Sequence, residues 1–255
     1  MLNNFKLFGL STAFKKFQTK ERLLEHEERA VITFADRFTT CTLNEHSIAA
    51  RWNDETIKLK AKEVVKIVEK VNIHMHTKSC RKYSTPCRFR FPKFPIWRTI
   101  LSKPLVVADD EGKKMKETYD SILQKVMNVM KDDDKIKCIL EEFPLQNDTS
   151  LELYQSNRKK RIFKLLNFAG LKTQTDIDLY EEALGYNTQG YSIVLERDVS
   201  EMYVNSYNPE WALIWNGNTD LQPTLDYFSV ITYVTDYFTK DDSGIIARLT
   251  DTKGK

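Results

Sequence analysis

Four metal-ligating side chains, His74, His76, Cys80 and Cys87, fall within fourteen residues of one another. The surrounding stretch, residues 72–104, is broken by Pro86, Pro92, Pro95 and Pro104. Proline removes a backbone donor and fixes φ, so such a stretch cannot run on as a helix or an inner strand. It also has too few aliphatic residues to fix its own shape. Imidazole and thiolate are the donors that a borderline-soft tetrahedral ion prefers. The expectation is therefore a closed four-ligand zinc site that staples an irregular loop and leaves no open position for water. The spacing HxHxxxCxxxxxxC is not a common finger pattern, and two surface histidines beside two incidental thiols is the bland alternative. Cys41 and Cys138 read as ordinary buried thiols. Four cysteines make a poor disulfide framework for 255 residues, which points to a reducing compartment.

The same stretch is the most unevenly charged part of the chain. From His74 to Lys103 there are eight Lys or Arg residues and no acid, although the net charge of the whole chain is only +3. Cations neutralise phosphates while aromatic faces accept stacked bases, a combination suited to single strands. Lys78, Arg81, Lys82, Arg88, Phe89, Arg90, Phe91, Lys93 and Trp97 are the candidate nucleic-acid contacts. In the competing reading the aromatics form a small core around the metal and the cations only solvate it. A second use of the histidines is open as well. His74-Met75-His76 is a His-hydrophobic-His triplet, and residues two apart on a strand face the same way. Both rings could then hold Mg²⁺ or Mn²⁺ at a scissile phosphate, although sulfur ligands so close by suit a hard ion badly.

The chain as a whole should fold. It is 41% hydrophobic and 29% charged, and its length suggests one domain with a small appended module. Residues 23–40 read as a charged helix end running into an apolar stretch, residues 54–71, 112–131 and 135–143 carry helical periodicity, and a soft boundary is expected near 145–156. Beyond it, NRKKRIFKLLNFAG reads as a short basic helix stopped by Gly170, with Thr175 the expected cap of the next helix. YSIVLERD and EMYVNSY alternate like the strands of a hairpin. Helix, turn, helix and hairpin is the order of a winged helix, and equally of many unrelated helix-and-sheet units. The fold class is α+β. The expected division is a helical region over 1–145 with its basic His/Cys module at 72–104, an α+β unit over 157–244 ending in a helix, and a tail over 245–255. No signal peptide and no apolar run of membrane-spanning length are apparent. An intracellular setting is expected, the nucleus included.

Two further groups could carry chemistry. Asn216, Asn218, Asp220 and Gln222 alternate along an extended stretch, which would aim four hydrogen-bonding side chains at a ligand or simply at water. Tyr233 and Tyr237 sit four apart, on one helical face with Lys240 one turn on. Paired tyrosines of this kind can act as alternating nucleophiles on phosphodiesters, but aromatic residues at helical spacing are more often core. No G-x-x-x-x-G-K-[ST] or G-x-G-x-x-G occurs, so ATP-driven chemistry has no support.

Taken in order, IHMHTKSCRKYSTPCRFRFPKFP and YVNSYNPEWALIWNGNTDLQPTLDYFSVITYVTDYFTKDDSG resemble the Helitron-type replication proteins of rolling-circle transposons and related viral elements, usually fused to a replicative helicase. Cys80, Cys87, Arg88, Phe89, Phe91 and Pro92 match that family's Cys-rich run. Tyr207, Asn208, Pro209, Asn216, Asn218, Asp220 and Gln222 match its second run, and Tyr233, Tyr237 and Lys240 its two-tyrosine helix. The resemblance implies a DNA-binding fragment whose full-length relatives carry a helicase domain, with single-stranded DNA the expected ligand. The family's own His-hydrophobic-His nuclease motif lies upstream of the Cys-rich run, in a segment this chain lacks, and no helicase half is present. Tyr233, Tyr237 and Lys240 are then inherited positions without activity. A metal-dependent nickase and an inactive coding remnant are the alternatives.

Overall fold

The computed structural model describes residues 21–221 apart from 53, 79, 81–86, 106 and 188–189, together with 13, 15–17 and 225. Residues 29–223 form one compact unit. Few residues are described in a second unit, of 1–28 and 224–255; within it Glu27 is buried and accepts from Lys16 Nζ at 2.9 Å and Leu24 N–H at 2.7 Å.

The fold is α+β, with helices α1 (Glu25–Phe38), α2 (Glu45–Arg51), α3 (Glu55–Val71), α4 (Asp110–Met130), α5 (Asp133–Glu142), α6 (Leu151–Phe168), α7 (Gln174–Leu184) and α8 (Pro209–Trp215). Side chains that offer an oxygen to the open N–H groups of the first turn set several of the starts. Asn44, Asp54, Asp109, Asp132, Ser150 and Asn208 each do so. The cap of α7 is Thr173, not Thr175: Thr173 and Asp176 exchange bonds in a capping box, and so settle the start two residues earlier. Gly170, at φ +83°, turns the chain between α6 and α7, a conformation that a β-carbon disfavours.

One small sheet has β1 (Ile100–Pro104) at its centre. β2 (Tyr186–Asn187) runs parallel to it, with Lys103 opposite Tyr186. β3 (Ser192–Val194) runs antiparallel, with Leu101 opposite Ile193. The hairpin expected from YSIVLERD and EMYVNSY does not form among the described residues. β3 takes a strand some ninety residues upstream, Val199–Glu201 coils into a 3-10 turn, and the rest pairs through single bridges, Val204 to Ile73 and Tyr207 to Thr40. Alternation marked these residues as extended without specifying the partner. A wing therefore does not follow the α6–α7 pair.

Two apolar clusters fill the unit. One gathers Ile100, Ile122, Val126, Ile139, Ile162, Leu165 and Tyr180 from α4 to α7 and β1. The other sets Ile48, Trp52, Ile57, Val64 and Val68 of α2 and α3 against Tyr207 and Ala212. The first cluster draws on both sides of the 145–156 stretch, where a 3-10 turn (Leu145–Asn147) and the Ser150 cap connect α5 to α6.

A buried charge network lies between helices and sheet. Arg161 is wholly buried; its Nε and Nη2 clasp Asp198 at 2.6–3.0 Å, Nη2 reaches Asp148 at 2.7 Å, and Nη1 donates to the Phe143 carbonyl. One turn earlier Arg158 donates to the Trp97 carbonyl and to Glu196, which also pairs with Arg51. Burial acts to depress the Arg158 guanidinium, but Tyr154 and Glu196 hold it above its ordinary value. Glu201 accepts from Thr42, Leu43 and Asp198, while burial and the nearby Asp198 charge push its carboxyl up. The NRKKR run is thus split by helical phase: Arg158 and Arg161 face inward, and Lys159 and Lys160 face water.

Replacing Arg161 with Met would strand two buried carboxylates. Breaking a buried pair from one side costs about 3–5 kcal/mol. A loss of that size in unfolding free energy is expected from urea denaturation; a change under about 1 kcal/mol, typical of exposed pairs, would refute the network's role.

Candidate metal centre

Helix α3 ends at Asn72, and this residue sets up the site. Its side-chain oxygen accepts from Thr219 N–H at 2.7 Å, its amide donates to the Asn205 carbonyl, and its own carbonyl accepts from Asn205 N–H at 2.9 Å. The chain then leaves the helix extended, pinned by the Ile73–Val204 bridge and by His74 N–H on the Tyr203 carbonyl at 2.7 Å. Extended backbone alternates its side chains. His74 and His76 are half-buried on one side, and Met75 is exposed on the other.

The two histidines meet Cys80 and Cys87, and the four ligand atoms all lie within 4.8 Å of one another. His74 Nε2 is 3.3 Å from His76 Nδ1 and 3.3 Å from Cys87 Sγ, and His76 Nδ1 is 3.6 Å from Cys80 Sγ. Both sulfurs are buried. Short backbone bonds shape the thiol-bearing segment: Cys80 N–H reaches the Thr77 carbonyl, Arg88 N–H the Cys80 carbonyl at 3.0 Å, and Arg90 N–H the Cys87 carbonyl at 2.8 Å. Thr77 N–H points at Cys80 Sγ at 3.2 Å, a donor suited to a thiolate. The group can hold a metal ion.

Aromatic rings wall the site. Phe91 stacks on the His74 ring, centroids 4.4 Å apart at 10°; Phe89 meets it edge-on, and Tyr203 packs on both His76 and Phe91. This divides the predicted nucleic-acid residues. Phe91 is buried against the His74 ring, and Trp97 is half-buried, packed on Phe163 and the α4–α7 core. Lys78, Arg88, Phe89 and Arg90 are exposed on the thiol-bearing segment, with Arg88 over the Phe89 ring at 4.5 Å. Lys93 lies over Phe91 at 5.1 Å; burial, with Arg197 nearby and against the pull of Asp220, lowers its pKa to about 8. Arg81 and Lys82 fall outside the described residues.

The polar row reaches the same neighbourhood. Asn218 accepts from Asn205 and Asp220 from Ser206, each at 3.3 Å, beside Tyr203 in the chain. Asn216 departs from the expected extended row: it caps α8 in the left-handed region at φ +45°, and only Asn218 and Asp220 keep the alternation. Gln222, Tyr233, Tyr237 and Lys240 lie outside the described residues. Sequence reasoning missed Asn72 and Tyr203, for which nothing local marks a role. Comparison of the chain with protein-family models, curated proteins and solved structures gave no match. Among the described residues no helix is long and apolar enough to cross a membrane.

Of the remaining cysteines, Cys41 is buried, donates to the Glu196 carbonyl, and is pushed up to about 12 by burial. Cys138, expected inside, is exposed, because it sits on the water-facing side of α5 while Ile139 takes the core. Thiol reagent at pH 8 should therefore titrate Cys138 alone in metal-loaded protein, then Cys80 and Cys87 once a chelator is added, and Cys41 only in denaturant. Immediate reaction of Cys80 and Cys87 in metal-replete protein would contradict ligation.

Proposed function

We propose that His74, His76, Cys80 and Cys87 hold a structural zinc ion, and that the segment it pins presents cations to single-stranded DNA, as the likeness to Helitron-type replication proteins implies. The convergence of the four donors carries this reading. With Zn–N of about 2.0–2.1 Å and Zn–S of about 2.3 Å, the edges of a tetrahedral site run from about 3.3 to 3.8 Å. Three of the six separations, 3.3, 3.3 and 3.6 Å, fall in that range, and all six are within 4.8 Å. Both imidazoles turn toward thiols, which suits a soft-tolerant ion and weighs against the hard-metal nuclease use of the same histidines.

The DNA part rests on what the pinned segment exposes. Arg88, Phe89 and Arg90 extend from it, and the residue-218 and residue-220 side chains of the second family-like run lie alongside. Phosphate contacts position a strand without reading its sequence. Arg158 and Arg161 play no part in this face, being committed to Glu196, Asp148 and Asp198.

Metal analysis of purified protein should find about one zinc per chain, as a closed four-ligand site requires. The Cys80→Ser, Cys87→Ser double variant should lose it; full retention would refute the assignment. Anisotropy with a labelled oligothymidine should show affinity falling steeply with salt, and removing each of Arg88 and Arg90 should flatten the log–log slope by about 0.7. Absence of binding at low salt would refute the DNA reading.

A further inference from the structure

Helix α8 carries its apolar residues on both sides. Ala212 and Leu213 pack into the cluster of α2 and α3, while Trp211, Ile214 and Trp215 are 59%, 84% and 71% exposed. Positions i, i+3 and i+4 share one face of a helix, so these three form a single stripe turned to water. Two indoles on a surface are costly to leave in water, and Trp211 and Trp215 stand about 6 Å apart along the axis. Each ring has room for its own partner.

We propose that Trp211 and Trp215 are a base-stacking platform for single-stranded nucleic acid, continuing the face that begins at the metal centre; this rests on the reading given above. Continuity along the chain supports the choice of occupant. From the Asn216 cap the backbone runs to Asn218 and Asp220, which bond to Asn205 and Ser206, and Tyr203 just before these packs on the His76 ring. At the other end of α8, Asn208 donates to the Phe38 carbonyl at 3.0 Å, where Arg37 covers the half-open Phe38 ring. Arg37 and the Phe38 ring therefore lie at the Asn208 end of the stripe, and the polar side chains of Asn218 and Asp220 follow it at the other. Its size argues against a second protein chain: the three side chains expose on the order of 400–500 Å², against about 800 Å² that each partner contributes to a stable interface. Stacking needs no more than a ring face per base and is worth roughly five- to a hundredfold in affinity each.

The test compares wild type, Trp211→Ala, Trp215→Ala, Trp211→Tyr and Arg88→Ala for binding of a twelve-residue oligothymidine across a salt series, with intrinsic fluorescence read in parallel. Each Trp→Ala change should weaken binding about tenfold at every salt concentration with the slope unchanged, Trp211→Tyr should restore much of the loss, and Arg88→Ala should flatten the slope. Tryptophan emission should fall on binding and the fall should shrink in each Trp→Ala variant, because Trp52 is buried and Trp97 is partly buried against the core while the α8 pair is exposed. If wild type binds and both Ala variants bind equally well with no quenching, the platform is refuted and the metal-centre face stands alone. If wild type binds no oligonucleotide at low salt, the DNA reading falls and the platform with it. If the Trp variants instead abolish self-association or adsorption to phosphatidylcholine vesicles, the stripe belongs to a protein or lipid partner and the proposal is overturned.

Discussion

Arg161 and the two carboxylates around it constrain the rest of the structure. A wholly buried guanidinium is tolerable only when every donor is answered, and here Asp198 and, from the α5–α6 connection, Asp148 and the Phe143 carbonyl do so from two separate parts of the chain. Such a cluster contributes little net stability over an apolar replacement. Its effect is to make other arrangements costly. If α6 rotated by one residue or the 196–201 segment slipped in register, charges would be stranded away from water. The geometry of the loop before α6, the 3-10 turn at Val199–Glu201 and the sheet are set together.

The metal centre hangs from that frame. Arg197 donates to the carbonyls of Glu201 and Val204, so the strand that presents Tyr203 is fixed from the network side. Asn72 fixes it from the helix side. Between these two anchors, His74 receives its backbone partner and Tyr203 packs on the other ligand ring. The thiol-bearing segment has little apolar packing of its own, since Cys80, Cys87 and Phe91 make a very small apolar cluster with Tyr203.

What could be read in the sequence follows from how local each cause is. Helical periodicity identified α3 to α5, because one buried stripe repeated over several turns is visible without knowing its partner. The four ligands were legible because they crowd into fourteen residues and their chemistry is shared. NRKKR looked like a solvent-facing basic run because the acids that neutralise Arg161 are thirteen and thirty-seven residues away. YSIVLERD and EMYVNSY looked like each other's partners because adjacency is the default for strands. No local signal in NPEWALIW marks Trp211 and Trp215 as turned to water.

The bridges described for the 192–207 segment have a consequence for how the chain is made. This one stretch supplies the partners of Ile100, Ile96, Ile73 and Thr40, each met far upstream. A growing polypeptide emerging at about 5–20 residues per second would therefore spend roughly 1–5 s between the end of α7 and the last of these partners. The segment acts as a clasp that arrives late, and the pairings of Thr40, Ile73, Ile96 and β1 with it wait until it leaves the ribosome.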